Sequence, residues 1–226
     1  DPIPSRGLGD VYKRQPSGID PHLVTGVPEH KILLALLEGL VVFNPKNNGV
    51  LPGVAEDWNV SDDGLSYTFK FNPDAKWTNG DSVKPEDFAY SWERILSPDL
   101  GAQYADMLYV IKNAEKFHKG DIKDFSQVGI SITKNKLKVE LENPTPYFLN
   151  ILTHYSTWPV HPETVEKYGG MISRNNQWTR VDNFVGNGPF KLESWEINKA
   201  LRVSRNDLYW GNSANKINGI EFIPID

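Results

Sequence analysis

The side chains that could bind a metal ion in this sequence are its five histidines. They are His22, His30, His118, His154 and His161. A transition-metal site on a helix favours a short spacing such as H-x-x-x-H, which places two imidazoles on one face. The nearest pairs here, His22 with His30 and His154 with His161, are spaced too widely for that geometry. We therefore interpret the histidines as surface or hydrogen-bonded residues and predict no metal site.

Paired carboxylates could carry out acid–base catalysis, and they occur at Glu56-Asp57, Asp62-Asp63 and Glu86-Asp87. A glycosidase needs two carboxyl groups that face each other across a cleft. Adjacent residues of a strand point to opposite faces, and acidic residues in the first turn of a helix stabilise its dipole. No serine lies in the G-x-S-x-G motif of a nucleophile elbow. The sequence therefore indicates a protein that is not an enzyme, with a hydrolase of unrecognised site as the alternative.

The composition excludes several kinds of partner. With 24 basic and 29 acidic residues, the chain has a net charge of −5 and lacks the clustered basic residues that bind nucleic acid. It has no cysteine, so disulfides, thiolate nucleophiles and cysteine-bound metals are excluded within it. The stretch Gly186-Asn187-Gly188 fits neither a phosphate-binding loop nor a dinucleotide fingerprint, and we interpret it as a tight turn. We expect no cofactor and no nucleic-acid partner.

Residues 53–96 form the unit around which the other elements are organised. Aromatic residues occupy every second position from 67 to 71, which is the period of a strand that buries one face. A helix is predicted to begin at Pro85, because proline suits the first helical position. The stripe of this helix that faces the core comprises Phe88, Trp92, Ile95 and Leu96.

The rest of the chain predicts short helices and strands joined by many loops. A helix is predicted at 28–38, capped by Gly39, and a strand at 40–43. Two hairpins are predicted, one from 128–132 and 136–141, the other from 190–195 and 201–205. Residues 220–225 are apolar on both faces, which predicts a buried strand. Together these elements indicate an α/β fold of mixed α+β type.

The seven tryptophans divide into two groups by their surroundings in the sequence. Four lie on predicted core faces: Trp58, Trp77, Trp92 and Trp195. Three lie in predicted loops: Trp158, Trp178 and Trp210. Rings in loops can line a cleft, and sugar-binding proteins stack sugars on such rings. A carbohydrate ligand is therefore an alternative.

Several spaced motifs resemble a known family. They are Gly53-Val54-Ala55-Glu56-Asp57-Trp58, Ala75-Lys76-Trp77-Thr78-Asn79-Gly80, Asn143-Pro144-Thr145-Pro146-Tyr147-Phe148, Gly186-Asn187-Gly188-Pro189-Phe190 and Tyr209-Trp210. This combination resembles the peptide-binding receptors of ABC importers, the extracytoplasmic solute-binding proteins of the oligopeptide and dipeptide type. The resemblance covers residues 16–226.

The resemblance implies a periplasmic-binding-protein-like type II lobe with an inserted small α/β domain, the second lobe being missing. Residues 16–44 and 183–226 would form the discontinuous lobe I, and residues 45–182 the inserted domain. Residues 1–15 match nothing in the family, and we expect them to be a non-native leader, with a natural flexible leader as the alternative. Any export signal would have preceded them.

The resemblance also implies a function: a receptor that captures oligopeptides through main-chain contacts and delivers them to membrane permease subunits. Thr25, Gly26 and Val27 match a loop that pairs with the peptide main chain, and Tyr104 matches a tyrosine that reaches the peptide. Independently, glycine allows close approach, and a helix start offers free N–H groups. The alternative is a related solute-binding protein for a sugar, a metal chelate or another small solute. We expect a periplasmic or surface-anchored monomer that binds peptide poorly without its second lobe.

Overall fold

The computed structural model describes residues 18–224, and the predicted leader lies outside this range. The α-helices within it are Val27–Leu36 (α1), Pro85–Leu96 (α2), Ala114–His118 (α3), Phe148–Ile151 (α4) and Pro162–Lys167 (α5). The strands are Val41–Asn44 (β1), Gly49–Pro52 (β2), Ala55–Val60 (β3), Ser66–Phe71 (β4), Ile130–Thr133 (β5), Lys136–Glu140 (β6), Phe190–Glu196 (β7), Ala200–Arg205 (β8) and Gly219–Phe222 (β9). No helix in this range is long and apolar enough to cross a bilayer.

The strands of the described range form antiparallel sheets of two, four and three strands. Their orders are β1-β2, β3-β4-β6-β5 and β7-β8-β9. In the four-stranded sheet, Tyr67 pairs with Val139 and Phe69 pairs with Leu137, which confirms the predicted burial of one face. The turn at Lys134-Asn135 has positive φ at both residues, as the two-residue type I′ turn of a β-hairpin requires. Both predicted hairpins are confirmed.

Helix α2 packs against the four-stranded sheet and begins as the sequence predicts. Pro85 occupies its first position, and the Asp87 carboxylate accepts hydrogen bonds from the Lys84 amide and the Trp77 indole, each at 2.9 Å. Phe88 and Trp92 are fully buried, and the Phe88 ring meets Phe71 edge-on at 5.5 Å. Burial of each such side chain stabilises the fold by about 1.5–3 kcal/mol. One connected core extends from this helix to α1 and to strands of all three sheets.

Helix α1 ends two residues earlier than predicted, at Leu36, and Gly39 is not its cap. The reason is a tertiary contact that the local sequence does not reveal. The carbonyl of Leu36 accepts a hydrogen bond of 3.0 Å from the amide of Gly188, and Leu37 is already extended. The predicted turn at Gly186-Asn187-Gly188 therefore packs directly on the end of a helix.

The prediction of a doubly buried strand at 220–225 is wrong. Among residues 18–224, strand β9 lies at the edge of an antiparallel sheet and pairs only with β8. Ile220 and Phe222 are half-buried on one face, whereas Glu221 binds Arg202 on the exposed face and Ile223 is 61% exposed. An antiparallel sheet can leave one face in water, and an apolar run alone does not distinguish that case from a buried parallel strand.

Candidate functional site

The segment Thr25-Gly26-Val27 lies at the surface where the chain enters α1. Gly26 is the N-cap residue with extended backbone (φ −89°, ψ 154°), and Val27 is 67% exposed. Across the part of the chain that the structure describes, the amides of these three residues donate to no backbone carbonyl. The first amides of a helix have no acceptor within the helix. The amide groups of these three consecutive residues are therefore not used in backbone hydrogen bonds.

Gly26 leaves open the space that the end of the Glu29 side chain occupies. The carboxylate of Glu29, a buried residue of the first turn of α1, lies so near Gly26 that a Cβ there would collide with it. A side chain at position 26 would therefore displace this carboxylate.

The carbonyls of Val24, Thr25 and Gly26 each accept a hydrogen bond from within the chain. The Tyr155 hydroxyl donates to the Val24 carbonyl at 3.1 Å, and the Tyr104 hydroxyl donates a longer, weaker bond of 3.4 Å to the Thr25 carbonyl. The Gly26 carbonyl accepts from the His30 amide at 3.1 Å, as a helical bond. The structure thus brings all four predicted site residues together, because Tyr104 lies directly against Thr25.

Four aromatic rings form a cluster behind this segment. Tyr104, half-buried, meets His154 edge-on at 5.0 Å, and His154 lies 4.3 Å from Tyr155. His30, one turn into α1, lies 5.3 Å from Tyr155. Burial and the nearby His30 lower the pKa of His154 to about 4, and burial also lowers the pKa of His30. Both imidazoles are therefore neutral near pH 7.

A groove with a volume of about 620 Å³ continues from His30 and His154 along α1. Its walls are largely apolar, and Leu34 and Phe43 there are about half exposed. The carboxylate of Glu38 lies among these apolar side chains and accepts hydrogen bonds from the Tyr209 hydroxyl and, at 2.6 Å, from the Trp210 indole. Burial raises the pKa of Glu38 to about 7, although these two hydrogen bonds oppose the rise.

Sequence reasoning missed His30, His154, Tyr155 and Glu38 as neighbours of the site. Their spacing along the chain gives no signal, since His30 and His154 are separated by more than half of the sequence. Of the three loop tryptophans predicted to line a cleft, Trp158 lies in the wall of this groove. Trp158 and Trp178 are 2% and 1% exposed, so neither offers a ring face for stacking a sugar. Within residues 18–224, no three His, Asp or Glu side chains gather closely enough to hold a metal ion.

Comparison with known proteins identifies the class to which this mixed α/β lobe belongs. Residues 49–226 match the family described as "Bacterial extracellular solute-binding proteins, family 5 Middle". The chain belongs to that family. The fold class expected from the sequence is confirmed by the solved structures it matches.

Several relatives that this chain resembles carry the names of peptide-binding proteins. It is 36% identical over 215 residues to the periplasmic oligopeptide-binding protein OppA of Haemophilus influenzae, a match that covers 94% of this chain and 38% of that protein. It is 34% identical over 219 residues to the oligopeptide-binding protein OppA of Bacillus subtilis, covering 95% of this chain and 38% of the relative. The chain thus spans about two fifths of the length of these relatives.

Solved structures agree with this similarity. The unliganded open form of the periplasmic murein tripeptide binding protein MppA superposes with a TM-score of 0.86 at 33% identity, covering 94% of this chain and 40% of that chain. Haemophilus influenzae OppA in complex with the peptide RPPGFSPFR also gives 0.86, at 35% identity, with coverage of 93% and 40%.

Proposed function

We propose that this chain is part of the substrate-binding receptor of an ABC importer, which captures oligopeptides and delivers them to membrane permease subunits. The observation that carries the proposal is the run of amides at Thr25-Gly26-Val27, which donate to no backbone carbonyl within residues 18–224. Tyr155 and Tyr104 bond the neighbouring carbonyls of Val24 and Thr25. An extended peptide can accept hydrogen bonds from such an edge as an added strand does. Because the donors are main-chain groups, peptides of many sequences satisfy them equally. The names of the relatives, OppA among them, support the same ligand class.

Energetics indicate that this edge is only part of a complete site. Three hydrogen bonds contribute about 0.5–1.5 kcal/mol each, whereas micromolar binding corresponds to about −8 kcal/mol. The remainder has to come from a second wall that closes over the peptide. In the proposed receptor, two lobes close by hinge motion and present a surface to the permease. The chain by itself then binds peptide weakly, in the millimolar range.

The domain division belongs to the same proposal. Residues 16–44 and 183–226 form lobe I and residues 45–182 form the inserted domain, with Tyr104 contributed by the insertion and Thr25 by the lobe. The receptor acts as a monomer in the periplasm or anchored at the cell surface, without enzymatic activity. The periplasmic names of several relatives support this location.

The amide of Val27 can be removed without disturbing the helix. Val27 is the first helical residue, Gly26 before it has the extended backbone that precedes proline, and proline is favoured at this position. We expect Val27→Pro to weaken the binding of trialanine about fivefold, since one hydrogen bond of about 1 kcal/mol is lost. The measurement is a titration by ¹H–¹⁵N NMR with trialanine at millimolar concentration.

The matched control is Val27→Ala, which removes the same side chain and keeps the amide. It should bind trialanine within twofold of the native chain, and the shifted amides should be those of positions 25, 26 and 27. If the two variants weaken binding equally, the side chain and not the amide makes the contact. If trialanine shifts no amide in this segment of the native chain, the proposed function is wrong.

A further inference from the structure

The segment that precedes these amides is held by a buried ion pair. Arg94 of α2 is completely buried and donates two hydrogen bonds to the Asp20 carboxylate, at 2.9 and 2.6 Å. Its Nε donates to the Met171 carbonyl at 2.9 Å. Burial opposes the ionisation of Asp20, but the guanidinium beside it outweighs burial and holds the pKa of that carboxyl below its usual range. Asp20 thus joins the chain before α1 to α2.

The same arginine fixes His22. A guanidinium nitrogen can only donate, so Nδ1 of His22 accepts the 2.8 Å bond from Arg94, and Nε2 carries the proton that bonds the Trp158 carbonyl at 3.1 Å. Burial and the positive charge of Arg94 lower the pKa of His22 to about 3, which keeps the ring neutral. Asp20 also makes two hydrogen bonds within its own segment. Its carboxylate accepts one of 3.0 Å from the His22 amide, and its carbonyl accepts one of 3.1 Å from the Val24 amide.

Further along the segment, Tyr155 holds the carbonyl of Val24. The Tyr155 ring is 2% exposed, and Val24 is itself buried. Neither Tyr155 nor Arg94 is exposed to solvent, so neither can touch a ligand that lies on the surface of Thr25-Gly26-Val27. Replacing buried ion pairs by apolar residues often costs little stability, so the effect of such a network on geometry has to be tested separately from its effect on stability.

We propose that Arg94 and Tyr155 are positioning residues for the ligand-binding edge. Arg94 holds the Asp20 carboxylate and Tyr155 holds the Val24 carbonyl, so that the amides of Thr25, Gly26 and Val27 stay aligned for a peptide. This inference rests on the proposed function. The alignment lowers the entropy that the segment loses when it pairs with a ligand, and preorganisation of this kind increases affinity without a new contact.

Amide hydrogen exchange tests the positioning step without any ligand. The readout is exchange at Val24 and His30, whose amides are bonded to the carbonyls of Asp20 and Gly26. We expect Tyr155→Phe, which keeps the ring and removes the hydroxyl, to accelerate exchange at both about fivefold. The matched control is Tyr90→Phe, which removes a hydroxyl bonded to the Glu166 carboxylate at 2.7 Å and not to a carbonyl of the segment before α1. The control should leave exchange at Val24 and His30 unchanged.

A second variant, Arg94→Lys, keeps the charge and loses the two-pronged contact with Asp20. It should accelerate the same two amides more than Tyr155→Phe does, while the amides of β4 and β6 exchange at the native rate. Equal exchange at Val24 in the native chain and in Tyr155→Phe overturns the proposal. So does acceleration spread evenly over the chain, because that reports only a loss of global stability.

A titration with trialanine separates this inference from the function on which it rests. If the native chain responds at Thr25–Val27, Tyr155→Phe should bind trialanine about fivefold more weakly and Tyr90→Phe should bind as the native chain does. Equal affinities for the two variants overturn the positioning role even where exchange is accelerated. A native chain that does not respond overturns the proposed function instead, and with it the ligand-related part of this inference.

Discussion

At the scale of single residues, Glu38 is a carboxylic acid buried among apolar side chains. It is 5% exposed, lies in the wall of an apolar groove, and has a pKa raised from 4.5 to about 7 by burial. Two donors, Tyr209 and Trp210, keep its carboxylate hydrogen-bonded. The folded chain therefore binds a proton at this site at pH values where the unfolded chain has lost it.

This raised pKa makes stability depend on pH. Between pH 4.5 and 7 the folded state holds more protons on Glu38 than the unfolded state does, so the contribution of Glu38 to stability falls as pH rises through that window. His154, with its pKa lowered to about 4, acts in the opposite direction over part of the same range. A measurement on the native chain alone would therefore mix the two effects.

We predict that the difference in unfolding free energy between the native chain and Glu38→Gln changes steadily between pH 4.5 and 7. The native chain should lose up to about 3 kcal/mol relative to the variant, because a tenfold difference in proton affinity between the folded and unfolded states corresponds to about 1.4 kcal/mol. Urea unfolding at several pH values across this window measures the difference. A difference that is constant with pH would contradict the raised pKa.

At the scale of elements, the contact between the Gly186-Asn187-Gly188 turn and the end of α1 joins two distant parts of the chain. The Asn187 side chain accepts the Glu38 amide and donates to the Glu38 carbonyl, both at 2.9 Å. A Cβ at position 188 would lie 2.6 Å from the carbonyl carbon of Leu36 and from the amide of Leu37. Backbone on both sides leaves no room for a side chain, so glycine is required here for close approach and not for a left-handed turn.

We predict that Gly188→Ala destabilises the fold by about 1–3 kcal/mol, the usual cost of forcing atoms into a packed interior. The control is Gly18→Ala, because a Cβ at position 18 would make only an ordinary contact of 3.6 Å with Val24. Urea unfolding of both variants should show a lower midpoint for position 188 at an unchanged m-value. Equal midpoints would show that the turn adjusts to the side chain.

At the scale of the whole molecule, the chain forms one connected main core but spans about two fifths of the length of its curated relatives. The groove beside α1 is open, and Leu34 and Phe43 leave about half of their surface exposed in it. The proposed edge presents three amides, which is too few for tight binding. The behaviour of this chain toward peptides should therefore differ from that of a receptor with two lobes.

We predict that calorimetry with mixed tri- to pentapeptides detects no micromolar binding by the 226-residue chain. The physical reason is that the free energy from three hydrogen bonds falls short of the roughly −8 kcal/mol that such an affinity requires. The control is a full-length relative measured with the same mixture. Micromolar binding by this chain would show that it contains a complete site.

Local sequence patterns were sufficient for most of the helices and strands. The alternation at Tyr67, Phe69 and Phe71 and the start of α2 at Pro85 depend on neighbours within a few residues, so the local sequence contains their cause. The four site residues were predicted from the family resemblance instead. That the Tyr104 hydroxyl meets the Thr25 carbonyl at 3.4 Å is a result of the structure. Their role in binding stays a proposal.

The tertiary structure alone decided which distant groups meet. Tyr155 lies 131 positions from the Val24 carbonyl that it holds, and Asn187 lies 149 positions from Glu38. No period or turn signal extends over such separations. The tertiary structure also decided that Ile223 is exposed and that Trp158 is buried. Sequence determines an element through contacts between near neighbours, whereas burial and binding geometry are set by packing between parts that only the folded chain brings together.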